Sequence, residues 1–207
     1  MTVVEHYFSN YPTVARDLRL VRDRLRQFDL EFWTDAGVFS KGGVDFGSRL
    51  LIETMDIPNG ARVLDVGCGY GPIGITAAKL APDGHVLMID VNGRAVELAR
   101  KNAGQNGVKN VEVRQSDLFF NVHERSFDRI LTNPPIRAGK AVVHEIFEEA
   151  AMRVNQSGEL WVVIQKKQGA PSAKKKLEEL FEEVDDVAKD AGYRIFRCRK
   201  SKSEVKT

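Results

Sequence analysis

Five short runs rich in Val, Ile and Leu recur along this chain of 207 residues, at 61–66, 86–90, 111–114, 128–132 and 160–164. Amphipathic stretches separate them, and a glycine-rich turn follows the first. Together these features predict an α/β fold of Rossmann-like type, a mostly parallel sheet with helices on both faces. A strand buried on both sides reads as an unbroken apolar run, and the alternation with helices supplies the cover. The helices are Pro72 to Leu80 after the glycine turn, Arg94 to Asn106 closed by Asn106-Gly107, Lys140 to Val154 ending before Ser157-Gly158, and Ser172 to Phe181. Val184 to Val187 and Tyr193 to Cys198 then read as strands turning at Ala191-Gly192, so the sheet finishes in an antiparallel hairpin.

Ahead of this core, Phe28, Leu30 and Phe32 alternate with polar residues and predict a strand. Leu18 to Val21 pairs with it across an arginine-rich turn, giving a small N-terminal β-hairpin. Gly42-Gly43 marks a loop, and Asp45 or Ser48 opens a helix through Leu50, Leu51 and Ile52. The expected division is an N-terminal extension over 1–40, a catalytic domain over 41–200 and a disordered tail over 201–207.

Composition narrows the function. With 43% hydrophobic residues the chain buries one sizeable domain, and it has neither a signal-like start nor an apolar run of membrane-spanning length, so a soluble cytoplasmic protein is expected. Cys68 and Cys198 are far apart, and His6, His85, His123 and His144 are scattered, so no metal site is expected. A net charge of +2 is too mild to mark a nucleic-acid binder in bulk. Local basic patches carry that possibility: the arginines between Arg16 and Arg26, Lys166 with Lys167, Lys174 to Lys176, and Arg194 to Lys202.

Val63-Leu64-Asp65-Val66-Gly67-Cys68-Gly69-Tyr70-Gly71 runs from a strand into a turn that opens a helix at Pro72. Glycines there let the backbone approach a nucleotide-type cofactor, and Pro72 suits a first helical turn. A dinucleotide site would require a small residue where Pro72 stands, and Asp65 suits a cofactor bearing an amine, which favours S-adenosylmethionine, with S-adenosylhomocysteine as product. Asp90, which ends the second strand, is suited to ribose hydroxyls; Asp117, after the third, to the adenine amine, with Leu118 beside the ring. Each acid alone has an ordinary reading as a cap or turn residue, but the three occur in register.

Asn133-Pro134-Pro135-Ile136 follows the fourth strand, which sets Asn133 over the cofactor. The lone pair of an exocyclic base amine is delocalised into the ring. Two acceptors, the Asn133 amide oxygen and the Pro134 carbonyl, hold its hydrogens and favour the localised lone pair that attacks a sulfonium methyl.

On these residues the chain resembles a class I methyltransferase of the amino-methylating branch, and in particular the small-subunit ribosomal RNA guanine-N2 methyltransferases. The motifs that carry the likeness are 37–41, 44–48, 65–74, Asp90-Val91-Asn92, Ser116-Asp117-Leu118 and 132–140, covering nearly the whole chain. The resemblance implies a seven-stranded sheet with its last strand antiparallel. It implies a cofactor site that includes Lys41, Asp45, Asp65, Gly67, Cys68, Gly69, Asp90, Val91, Asn92, Asp117, Leu118 and Asn133, with Asn133 and Pro134 holding the target amine and the segment from Lys41 to Asp45 closing over the methionine end. It departs from the wider pattern at Ile136, where an aromatic residue is common, and in having only a short hairpin where some members carry a duplicated N-terminal domain.

Residues just past the strand ends share one rim, so Arg137, Lys140, Gln165, Lys166 and Lys167 are candidate contacts to ribosomal RNA or an assembling small subunit. His6, Tyr7, Phe8 and Tyr11 either stack on neighbouring bases or pack on the core. The rival functions are protein glutamine-N5 methylation, DNA adenine-N6 methylation, and non-catalytic RNA binding in ribosome assembly.

Overall fold

The computed structural model describes residues 14–200, so the aromatic residues between His6 and Tyr11 and the tail after Lys200 lie outside the described residues. In chain order the elements are β1 (Arg19–Leu25), β2 (Phe28–Thr34), α1 (Phe46–Thr54), β3 (Arg62–Val66), α2 (Pro72–Leu80), β4 (His85–Asp90), α3 (Gly93–Gln105), β5 (Val111–Gln115), β6 (Phe127–Thr132), α4 (Lys140–Arg153), β7 (Val154–Gln165), α5 (Ala170–Leu180), β8 (Glu183–Asp190) and β9 (Tyr193–Arg199).

Seven strands form one sheet in the order β5-β4-β3-β6-β7-β9-β8, and β1 with β2 forms a separate antiparallel pair. β9 runs antiparallel between β7 and β8, so the closing hairpin inserts its second strand inside and leaves β8 at the edge. Successive side chains of a strand point to opposite faces, and the two cores follow that alternation. Val63, Met88, Leu131, Trp161 and Val163 face α1, α2 and α3, whereas Leu64, Leu87, Ile130, Leu160 and Val162 face α4 and α5.

β7 begins earlier than its apolar run, because Val154 already pairs with Phe127 and the Ser157-Gly158 turn is taken up as an irregularity in the ladder before Glu159 meets Arg129. Gly158 is required there: a side chain would meet the Phe127 carbonyl oxygen at 2.8 Å. The N-terminal hairpin also differs from expectation. Arg22 and Arg24 lie within β1, and the turn is Arg26-Gln27, with Arg26 at φ +54°.

That hairpin is not a free appendage. Leu25, Leu30 and Phe32 are buried in the same core as α1, α2 and α3. β1 pairs with one edge of β2, and the other edge would leave unpaired backbone groups. Two asparagines one turn apart, Asn102 in α3 and Asn106 at its C-cap, occupy it. Asn102 accepts from Trp33 N at 2.7 Å and donates to Trp33 O at 3.0 Å and Tyr70 O at 2.8 Å. Asn106 repeats the fork on Glu31, accepting from its N–H at 3.0 Å and donating to its carbonyl at 2.7 Å. Lys101 adds its ammonium 3.7 Å from the Trp33 ring centroid. At the turn, Arg26 donates to the carbonyls of Ile52 and Met55 and thereby caps the end of α1.

Asn102 is fully buried, so removing its amide strands three backbone groups. Asn102→Ala is expected to lower the unfolding free energy by roughly 2–4 kcal/mol, and Asn106→Ala, at the more open end of the helix, by less. Urea unfolding of the two variants beside the wild type measures this.

Candidate functional site

The sheet changes winding direction between β3 and β6, and the crevice beyond their carboxyl ends is where an open α/β sheet takes a ligand. A cavity of about 840 Å³ lies there. Its floor comes from the ends of β3 to β7, and its roof from the loop 38–45 and the start of β9 at Tyr193.

The glycine turn is held from both sides. Gly67 N and Cys68 N both donate to Ile89 O at 2.9 Å, and Gly69 N donates to Asp90 Oδ2 at 2.8 Å. Gly67, Gly69 and Gly71 have φ of +74°, +57° and +99°, the left-handed region that side chains disfavour. At Gly74 the demand is for space, because a Cβ would lie 2.4 Å from Met88 Sδ and 3.0 Å from Asp65 Oδ2. Its absence lets α2 approach closely enough for Gly74 N to donate to Asp65 Oδ2 at 2.8 Å.

The residues singled out from the sequence divide into two groups. Lys41, Asp45, Gly67, Gly69, Asp90, Val91, Asp117, Leu118, Asn133, Pro134, Pro135, Ile136 and Arg137 all line the cavity. Asp65, Cys68 and Asn92 are buried beneath its wall. Asp65 secures the start of α2, with its second oxygen buried and lacking a hydrogen-bond partner. Asn92 caps α3, its Oδ1 accepting from Arg94 N at 3.0 Å, while its Nδ2 donates to Gly37 O at 2.8 Å and ties the roof loop to the helix. Lys140, Lys166 and Lys167 are exposed outside the cavity wall, whereas Gln165 and Gln168 beside them line it.

The roof loop is further fixed by Thr34 Oγ1 donating to Lys41 O at 2.7 Å and Arg94 Nη1 donating to Ala36 O at 2.6 Å. Below it, Thr132 Oγ1 donates to Val66 O at 3.0 Å, joining the ends of β6 and β3 and setting where Asn133 emerges. Asn133 Nδ2 donates to Ser48 Oγ at 3.1 Å and Asp45 Oδ1 at 3.4 Å, both at the start of α1. Sequence reasoning missed Ser48 and Tyr193 as site residues. Ser48 could have been found as the third residue of a helix whose N-cap is Asp45; Tyr193 carries no local signal.

Burial pushes the Asp65 carboxyl up to about 7 against its bond from Gly74, with the nearby Asp90 adding to the rise. Burial likewise raises Asp90 to about 6, opposed by N–H bonds from Asn92, Gly69 and Val91. Both carboxyls therefore bind a proton more tightly folded than unfolded. The stability tied to a protonated Asp65 is complete below about pH 4 and is lost as pH rises through about 7. Asp65→Asn lacks this titration, so its melting temperature relative to the ligand-free wild type is expected to rise between about pH 4 and about pH 7 and to level off above it. A difference that stays flat over that range refutes the assignment.

Among the described residues no cluster of His, Cys, Asp or Glu is arranged to hold a metal, and no helix is long and apolar enough to cross a membrane.

The family model described as methyltransferase small domain matches residues 29–197. The chain is 57% identical over 198 residues to the uncharacterized protein YbxB of Bacillus subtilis (strain 168), covering 95% of this chain and 98% of that one. It is 33% identical over 202 residues to ribosomal RNA small subunit methyltransferase C of Salmonella choleraesuis (strain SC-B67), covering 88% of this chain and 58% of the relative. It thus spans little more than half the length of that enzyme. Among solved structures, the T. thermophilus 16S rRNA N2 methyltransferase RsmC in complex with AdoMet and guanosine is similar at a TM-score of 0.80 and 27% identity, over 92% of this chain and 52% of that one.

Proposed function

The chain belongs to the methyltransferase small domain family, whose methyl donor is S-adenosylmethionine; on that footing we propose that it methylates an exocyclic base amine, guanine N2 of small-subunit ribosomal RNA. One observation carries the reading. Asn133, at the end of β6, gives its amide nitrogen to Asp45 and Ser48, which turns its oxygen away from them as an acceptor in the same cavity that Asp90 and Asp117 line. The similarity to an N2 methyltransferase described with AdoMet and guanosine supports the same choice of acceptor.

The cavity fits the donor by its own chemistry. The glycine turn brings bare backbone to its edge, Asp90 offers a carboxylate suited to ribose hydroxyls, and Asp117 with Leu118 offers an acceptor and an apolar flank for adenine. S-adenosylmethionine supplies a methyl group on a positively charged sulfonium. The protein's part is to bring the amine into line. The Asn133 oxygen and the Pro134 carbonyl accept the two amine hydrogens, so the nitrogen lone pair points at the methyl carbon. Positioning of this kind supplies much of the rate, and no strong base is needed before transfer. Ile136 packs an aliphatic side chain on the ring, and Arg137 lies at the same mouth. The exposed Lys140, Lys166 and Lys167 meet RNA phosphates outside it. This reading sets the enzyme in the cytoplasm beside ribosomal RNA or the assembling small subunit.

Labelled methyl transfer to stripped small-subunit RNA, assembled small subunits, DNA and a translation-protein fraction, followed by nucleoside analysis, tests it. N2-methylguanosine is expected, with a loss of at least about 100-fold in Asn133→Ala; label in protein or DNA alone overturns the RNA assignment. Replacing Lys166 and Lys167 together by alanine is expected to weaken RNA binding and to reduce the slope of log affinity against log salt by about one for each phosphate no longer neutralised. An unchanged slope removes both lysines from the interface.

A further inference from the structure

An asparagine that must accept has to be kept from turning over. Its oxygen and nitrogen are nearly the same size, and a half-turn of the amide would offer N–H donors to an amine that needs acceptors. Asn133 is 88 residues from Asp45 in sequence, yet its Nδ2 reaches Asp45 Oδ1 at 3.4 Å and Ser48 Oγ at 3.1 Å. A carboxylate oxygen only accepts, so the nitrogen must face it.

Both partners are themselves fixed. Asp45 is the N-cap of α1, its Oδ1 accepting from Ser48 N at 3.1 Å, and Ser48 is buried in the first turn. Gly47, between them, has no room for a side chain: a Cβ would meet the Tyr193 ring at 2.8 Å and Asp45 Oδ1 at 3.2 Å. The start of α1 is thus wedged between β9 and the end of β6.

We infer that Asp45 is a positioning residue, which holds the Asn133 amide in the one orientation that presents its oxygen to the substrate amine, with the Ser48 hydroxyl as a second contact to the same nitrogen. This rests on the reading of Asn133 as the group that binds the acceptor. It assigns Asp45 to the acceptor side of the cavity through Asn133, rather than to the cofactor as the resemblance implied.

An exchange of the two residues tests the inference. Asn133→Asp alone sets two carboxylates against each other. Asp45→Asn added to it restores one donor facing one acceptor with the roles reversed, and asparagine still caps α1. Melting temperature without substrate, adenosylmethionine affinity, and kcat with KM on small subunits are measured for the wild type, both single variants and the double variant. Asn133→Asp is expected to melt lower and to lose on the order of 100-fold in kcat, with cofactor affinity within a few-fold of the wild type. The double variant is expected to recover the melting temperature and at least about ten-fold of kcat.

A double variant no better than Asn133→Asp in either measure overturns the inference, as does recovery of melting without recovery of kcat. Weakened cofactor binding in Asp45→Asn that the exchange does not repair overturns it in favour of a cofactor ligand. If the wild type methylates no base at all, the acceptor reading fails separately, and the melting cycle still decides whether Asp45 orients Asn133.

Discussion

Two parallel strands that sit side by side but continue in opposite directions across the sheet leave a crevice at their carboxyl ends, and here those strands are β3 and β6. Their pairing runs from Val63 with Arg129 to Val66 with Thr132, and the Thr132 hydroxyl extends it by one more bond to the Val66 carbonyl. Everything at the site depends on that adjacency. The glycine turn leaves β3 on one side of the crevice and Asn133 leaves β6 on the other, so both line the same cavity. A parallel pair cannot be joined by a short turn; here α2, β4, α3 and β5 lie between the two strands, and they bring Asp90 and Asp117 to the same rim.

Charge and shape at this rim work against each other. Asp65 and Asp90 are held where burial disfavours their ionised forms; Asp65 accepts from Gly74 N in the first turn of α2, and Asp90 accepts from Gly69 N of the glycine turn and from Asn92 N. Asp90 thus helps to set the turn's conformation, and the turn in part stabilises its charge. Asp65 lies beneath the wall and reaches the cavity only through Gly74 and the start of α2.

Much of the fold was legible because the physics that buries a parallel strand writes itself into consecutive residues. Val63 to Val66 and Val86 to Ile89 could hardly be anything else. The early half of β7 was hidden because Ser157-Gly158 looks like a turn, and only the neighbouring Phe127 carbonyl turns it into a ladder irregularity. At the site, Asn133 and the three acids were visible because each lies in or just past the carboxyl end of a strand, whereas the pairing of Asn133 with Ser48 and the arrival of Tyr193 depend on how distant elements pack. Asn102 and Asn106 were invisible for a different reason. A polar residue on a helix reads as solvent-facing unless a strand edge lies against it, and β2 is far away in sequence.

Those two asparagines also bear on where the unit that carries the cavity begins. Their four bonds to Glu31 and Trp33 replace a missing neighbour strand, and the chain leaves β2 directly into the roof loop that Asn92 and Arg94 hold over the cavity. The hairpin and the roof are therefore one continuous piece of backbone anchored to α3. A fragment cut near residue 40 would lose the strand that these amides were built to meet, and would leave the cavity's roof hanging from one end. In terms of modularity, the hairpin belongs to the machinery it precedes: it travels with the site, or the site does not travel.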